Sequence, residues 1–179
     1  MSRKTLAVVI GLVLLFGFGV GRLTAAKKPQ ITPAVWTEQS PEEAAEALLD
    51  ISVVLAGAGS WENIHVGRVY YLSGKKDEAE AIFARYTGDK ALASDLVRIA
   101  RVYAQAGEWE KGSELYDRVL QLKPTDGDWL AEAGAWHNLN GNRERAEELF
   151  ARSFAKDSSS LRNSLTAAGS YGGVEPRQR

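Results

Sequence analysis

The sequence predicts an all-α fold, a solenoid of helical hairpins preceded by one transmembrane helix. Three observations predict it. Gly74, Gly107 and Gly141 close the similar segments Tyr70-Tyr-Leu-Ser-Gly74, Tyr103-Ala-Gln-Ala-Gly107 and His137-Asn-Leu-Asn-Gly141, and they stand 33 and 34 residues apart. The same offsets carry Phe83 to Tyr116 to Phe150, Arg85 to Arg118 to Arg152, and Ala79 to Gly112 to Ala146. Near the N-terminus, 17 residues from Thr5 to Gly21 carry no charge. A fixed period of this length marks stacked two-helix units, each too small to bury its own apolar face.

Taken in order, residues 1–4 form a short basic leader and 5–22 a transmembrane signal anchor. As a helix the uncharged run spans about 25 Å, a little short of the roughly 30 Å hydrocarbon core, and Lys4 and Arg22 can snorkel across the difference. Gly17 and Gly21 form a GxxxG pair, which lets two membrane helices approach closely. A cleaved signal is the alternative: Thr24-Ala25-Ala26 offers small residues to a peptidase, although Arg22 sits where a cleavage region is normally uncharged. Basic residues flank the run on both sides, so charge barely orients it. The brief leader favours a body outside the cytoplasm. Residues 23–40 read as a linker, because Pro29, Pro33 and Pro41 deny it regular structure. Trp36, in its middle, has either the body or a bilayer interface to dock on.

The body occupies 41–168. Ser40-Pro41-Glu42-Glu43 is a capping box with proline at the first helical position, and Ala44, Leu48, Ile51 and Leu55 follow on one face. Three units then run over about 60–92, 93–126 and 127–160. In the middle unit the first helix presents Leu96, Ile99, Ala100 and Tyr103 on one stripe, and Gly107 ends it in a left-handed conformation. The second helix presents Gly112, Tyr116, Val119 and Leu120, and Pro124 stops it. Small residues at 79, 112 and 146 let the two helices of a unit approach, and the aromatics fill the space one turn later. Leu161, Leu165 and Ala168 predict one further short helix as a cap. Gly169, Gly172, Gly173 and Pro176 predict a flexible tail over 169–179.

This pattern resembles the tetratricopeptide repeat (TPR), a 34-residue unit with Leu and Gly/Ala in its first helix, then Tyr, Gly, Ala, an aromatic and Pro. Residues 93–126 match best. The first unit is one residue short and lacks the proline; in the third, His137 replaces the tyrosine and Ser158 the proline. The resemblance covers about 100 residues. It implies a TPR-type helical-hairpin solenoid and a role in holding other proteins.

Composition removes several other functions. There is no cysteine, hence no disulfide, thiolate metal site, cysteine nucleophile or lipidated cysteine anchor. Residues 41–158 hold 14 Lys/Arg against 21 Asp/Glu, a body that repels nucleic acid. No zinc-protease, phosphate-loop or serine-hydrolase motif is present. His65 and His137 lie 72 residues apart, and His137 occupies a slot that packs inside the stack. Trp61, Trp109, Trp129 and Trp136 fall at packing positions of the repeats. The expectation is therefore no enzyme activity, catalytic residue, cofactor, metal or small-molecule substrate.

The resemblance also implies a groove, lined by first-helix residues that point away from the second helix. Carried over, those positions are His65, Arg68 and Tyr71, then Arg98, Arg101 and Gln105, then Asp128, Glu132 and Asn138. Arginines beside a tyrosine suit an acidic or carboxylate-bearing peptide; the alternative is that they pair with acids on neighbouring helices. Relatives that clamp a chaperone's C-terminal carboxylate use Lys/Asn and Lys/Arg where this chain has Ile64, Arg68, Asp128 and Glu132, so that clamp is not reproduced. The whole reads as a membrane-tethered scaffold or adaptor of an envelope-associated assembly. It would sit in a bacterial inner membrane by a single pass, with its repeats on the periplasmic side. A permanent subunit of a membrane complex and an exported soluble periplasmic protein are the alternatives.

Overall fold

In a computed structural model of the chain, residues 29–176 are described. The expected leader and anchor, with Gly17 and Gly21, lie outside them. Among the described residues there are nine helices and no strand: α1 (Ala34–Thr37), α2 (Pro41–Ala56), α3 (Ser60–Leu72), α4 (Lys76–Phe83), α5 (Ala93–Gln105), α6 (Trp109–Leu122), α7 (Gly127–Leu139), α8 (Arg143–Lys156) and α9 (Leu161–Tyr171). None of these is long and apolar enough to cross a membrane.

Helices α3/α4, α5/α6 and α7/α8 form the three hairpins, and one turn geometry closes each first helix. Gly74, Gly107 and Gly141 take φ of 89°, 75° and 81°. The next residue's N–H reaches back five positions: Lys75 donates to the Tyr70 carbonyl, Glu108 to Tyr103 and Asn142 to His137, each at 2.9 Å. This double-bonded turn satisfies carbonyls the helix end leaves open and needs a residue without a Cβ penalty at positive φ. Unexpectedly, Gly173 repeats it at the end of α9, with φ of 77° and Val174 N–H donating to the Gly169 carbonyl at 2.8 Å.

Inside each hairpin the expected stripes are buried, including Leu96, Ile99 and Ala100 at 0% exposure. The tightest contact lies one layer away from the small residues read for it. A Cβ on Gly67 would fall 2.5 Å from a Phe83 ring carbon, and one on Gly134 2.8 Å from Phe150. The first helix thus thins where the second helix carries its aromatic. The recurring arginine is also explained. Arg118 donates to the carbonyls of Thr87 and Gly88 at 2.8 and 3.0 Å, and Arg152 to that of Pro124 at 3.1 Å, so α6 and α8 each hold the loop that precedes their own unit, whereas Arg85 reaches Asn63 Oδ1 on α3 at 3.5 Å.

The ends differ from expectation. The capping box of α2 is present, Ser40 and Glu43 exchanging bonds of 3.0 and 3.3 Å. Its buried residues are Ala44 and Leu49, while Leu55 is exposed, because α2 has only α3 to lean on. The linker includes the single turn α1, on which Trp36 stands 52% exposed and so is not docked on the body. In α9 the predicted face is reversed. Leu161, Leu165 and Ala168 point outward, and Asn163, Ala167 and Ser170 are buried. Helix α9 lies chiefly on α7 and also reaches α8: Asn138 of α7 donates to Ser170 at 3.1 Å, and Asn163 donates to Ser153 of α8 at 3.0 Å. It also runs to Tyr171, past the boundary at 168, and Pro176 beyond it is buried.

If the glycine–aromatic contact sets hairpin spacing, Gly134→Ala should destabilise the protein. The methyl group meets both the Phe150 ring and the Ala146 carbonyl, at 2.8 and 3.2 Å. Overpacking of about 1–3 kcal/mol outweighs a helix-propensity gain of about 1 kcal/mol. A melting temperature several degrees lower is the expected readout; an unchanged or higher value would mean that Phe150 moves away freely.

Candidate interaction groove

The first helices α3, α5 and α7 carry the residues expected to line a groove, and the structure separates these into three groups. One group meets on the α3–α5 face. Trp61 and His65 stack with ring centroids 4.3 Å apart. Arg68 Nε donates to Gln105 Oε1 at 3.0 Å, and Arg98 donates to Asp95 Oδ1 at 2.7 Å. Asp95 also accepts from Ser60 at 3.1 Å, which ties α3 to α5. The His65 imidazole is held below its ordinary pKa, first by partial burial and then by the charges of Arg68 and Arg98. His65, Arg68, Arg98 and Gln105 therefore share one surface. Among the described residues Arg68 has no carboxylate partner.

The second group turns inward. Arg101 makes a two-pronged pair with Glu132, at 2.6 Å for each prong, and the buried Tyr116 hydroxyl donates to the same carboxylate at 2.7 Å. Burial first, then the Glu132 charge, pushes the Tyr116 phenol well above its usual range. The guanidinium is thus spent within the fold, and of the three arginines expected in a basic patch Arg98 is paired with Asp95, which leaves Arg68 without a carboxylate among the described residues. Tyr71 is 1% exposed, so it belongs to the core and not to a groove wall. Its hydroxyl donates to Glu108 at 2.6 Å, and its ring packs against Phe83 and Tyr103 at 5.9 and 5.3 Å.

Asn138 stands apart, bonded to Ser170 of α9, and Asp128 pairs with Arg162 of the same helix. Around Asp128 lies the larger opening, of about 1060 Å³. Its walls come from α5 (Val97, Arg98, Arg101), α7 (Asp128, Trp129, Glu132), α9 (Leu161, Leu165) and the segment 174–176. The leucines were legible in the sequence as an apolar stripe but not as a surface feature. His137 lies in the tyrosine slot, 8% exposed, with Trp109 edge-on at 5.0 Å. Burial holds its pKa down, as for a packed neutral imidazole.

One charged cluster escaped the sequence reading altogether. Glu108, on the turn after α5, accepts from Tyr71 and from Lys111 at 2.9 Å and pairs with Lys76. Tyr103 donates to Glu80 at 2.7 Å, and Lys111 reaches Glu80 at 3.1 Å. The hydrogen bonds from Lys76, Tyr71 and Lys111 hold the Glu108 carboxyl at about 2, and burial with the Glu108 bond lifts Tyr71 to about 12. These groups come from four different helices and one turn, so no local motif announces them. They form the seam between the first two hairpins.

Two outcomes follow from these pairs. Arg101→Ala strands a buried carboxylate and should cost about 3–5 kcal/mol, read by denaturant unfolding; a loss below about 1 kcal/mol would mean that Glu132 is reached by water. Glu108 has a depressed pKa in the fold, so its stabilisation is complete above the ordinary value of 4.5 and disappears as pH falls toward about 2. Glu108→Gln should lower the melting temperature at neutral pH and flatten its decline between pH 4.5 and 2. An unaltered decline would place the acid sensitivity elsewhere.

No curated protein matches the chain. A family model described as tetratricopeptide repeat matches residues 96–128, which span most of α5, all of α6 and the first two residues of α7, and this match supports a tetratricopeptide repeat protein.

Proposed function

We propose that this chain is a membrane-tethered scaffold that holds a protein partner in an envelope-associated assembly. Tetratricopeptide repeats suggest a protein–protein interaction role. The observation that carries the reading is the open face where Trp61, His65, Arg68 and Arg98 come together beside the α5–α7–α9 groove. An open, mixed aromatic and cationic surface across several helices suits a peptide or a protein edge better than an enclosed small molecule. The tether is the uncharged run Thr5–Gly21, with the repeats on the periplasmic side of an inner membrane.

Photocrosslinking from position 65 in intact membranes tests this. One defined partner should be captured, and Arg68→Glu with Arg98→Glu should abolish its salt-sensitive capture. Arg101 is left intact because its loss would disturb the fold. Equal capture from position 114, exposed on the second helix α6, would count against the groove, and release of the chain by an alkaline wash would count against the tether. Val53, Val54 and Leu55, exposed at 44%, 64% and 41% on α2, favour a second reading as a permanent subunit. That reading predicts co-purification that survives the arginine changes and fails on Val54→Asp.

A further inference from the structure

Helix α2 is the second helix of a unit whose first helix is missing from the described residues. Pro41, Ala44 and Leu48 stand 35 residues before Lys76, Ala79 and Phe83, so α2 repeats the start, the small residue and the aromatic slot of α4. In the complete hairpins that slot holds Phe83, Tyr116 and Phe150. All three are buried, Phe83 and Phe150 against a glycine of the first helix. Leu48 is only partly buried. Ahead of it the described residues offer the single turn α1, and Pro29 and Pro33 bar a helix of full length there.

The neighbouring helix is uncovered at the matching place. Val69 of α3 is 47% exposed, whereas its counterparts in the next two units, Val102 and Trp136, are 1% and 3% exposed. Each of those has a whole hairpin in front of it, and α3 has only α2. A first helix ahead of α2 would touch both uncovered residues. Within a unit it packs on the second helix, as α3 does on α4, and across units on the next first helix, as α3 does on α5. The rim of this slot is acidic. From Pro41 to Ala56, α2 carries Glu42, Glu43, Glu46 and Asp50 and no Lys or Arg. Glu43 serves the Ser40 cap and Glu46 pairs with Lys75, while Glu42 and Asp50 have no basic partner among the described residues. Burial first, then the Asp50 charge, raises the Tyr70 phenol of α3, which puts that free carboxylate at the α2–α3 junction.

We propose that the slot beside Leu48 and Val69 takes a helix from a partner protein, which completes the first unit in trans. The fitting helix is amphipathic and has the 13-residue length shared by α3, α5 and α7. It sets a small residue against Leu48, as Gly67 is set against Phe83, and carries Lys or Arg along the flank that meets Glu42 and Asp50. The acidic rim selects this occupant. It repels the same face of a second copy and the anionic headgroups of a membrane, and it attracts a cationic helix. The slot adjoins α2, whereas the groove described above lies over α3 and α5, so this surface works independently of Arg68 and Arg98.

The probe is a fluorescein-labelled helix of 13 residues, crosslinked on its outer face and built on the pattern of α5. It has leucine at the places of Leu96, Ile99 and Tyr103, alanine at that of Ala100, and three lysines on one flank. Anisotropy is followed against the full chain in nanodiscs of zwitterionic lipid, where saturable, salt-sensitive binding is expected. Val69→Asp should weaken it at least about tenfold, as for a contact at the centre of an interface. Glu42→Lys with Asp50→Lys should weaken it at low salt and remove the salt dependence. All three residues are exposed, so the fold is kept, which circular dichroism verifies. A probe with phenylalanine in place of the alanine should not bind. Absence of binding, or binding indifferent to Val69→Asp or to glutamates in place of the probe's lysines, overturns the proposal. So does a dimer of the full chain that Val69→Asp dissolves, which would assign the slot to a second copy. Failure of the probe with capture from position 65 intact removes this slot alone, and the reverse outcome removes the groove alone.

Discussion

A two-helix hairpin has one apolar face turned toward its own partner helix and another that only a neighbouring hairpin can cover. The rest of this structure depends on how that second face is closed. Between the hairpins it is closed by direct packing of α3 on α5 and of α6 on α7, and by arginines of α6 and α8 that reach back to the preceding loop. At the two ends there is no neighbour, and the chain improvises. Helix α2 covers α3 but leaves Val53, Val54 and Leu55 outside. Helix α9 covers α7 through alanine, serine and asparagine, and leaves its leucines outside.

The two internal seams are built from different physics. Between the first and second hairpins, Glu108, Glu80, Lys76 and Lys111 surround two tyrosine hydroxyls, in a network partly open to water. Between the second and third, the Arg101–Glu132 pair is largely desolvated and completed by Tyr116. A pair of that kind adds little net stability against an apolar alternative, yet breaking it is costly, so it fixes how the two hairpins are aligned. The surface left for a partner is what these internal pairings do not consume.

What was legible in the sequence follows from distance along the chain. The turns at Gly74, Gly107 and Gly141 and the capping box at Ser40 are local, and residues within six positions determine them. The core stripes follow from helical periodicity. The fate of the arginines depends on contacts some 30 residues away, such as Arg101 with Glu132 and Arg118 with Thr87, and a repeat register cannot tell a solvated arginine from a paired one. Tyr71 was assigned to the groove although its ring packs in the core. For α9, hydrophobic periodicity assumes leucine inside, whereas the residues it turns to α7 and α8 are Asn163, Ala167 and Ser170, held by bonds from 10 to 32 positions away. For the candidate site, its membership on α3 and α5 was readable; its apolar half was not.

The unequal seams have a mechanical consequence. At the joint between α3/α4 and α5/α6 the aromatic packing of Tyr71 and Phe83 on Tyr103 is rimmed by charged side chains on long, rotatable stems, and those rim contacts can exchange partners. The joint between α5/α6 and α7/α8 turns on a short, two-pronged pair shut away from water, which either holds or breaks. Load applied along the solenoid is therefore met at the rim of the first joint by polar contacts that can exchange, and at the second by one that cannot. The α5–α7–α9 opening is lined by Arg101 and Glu132 themselves, so its shape is tied to that pair.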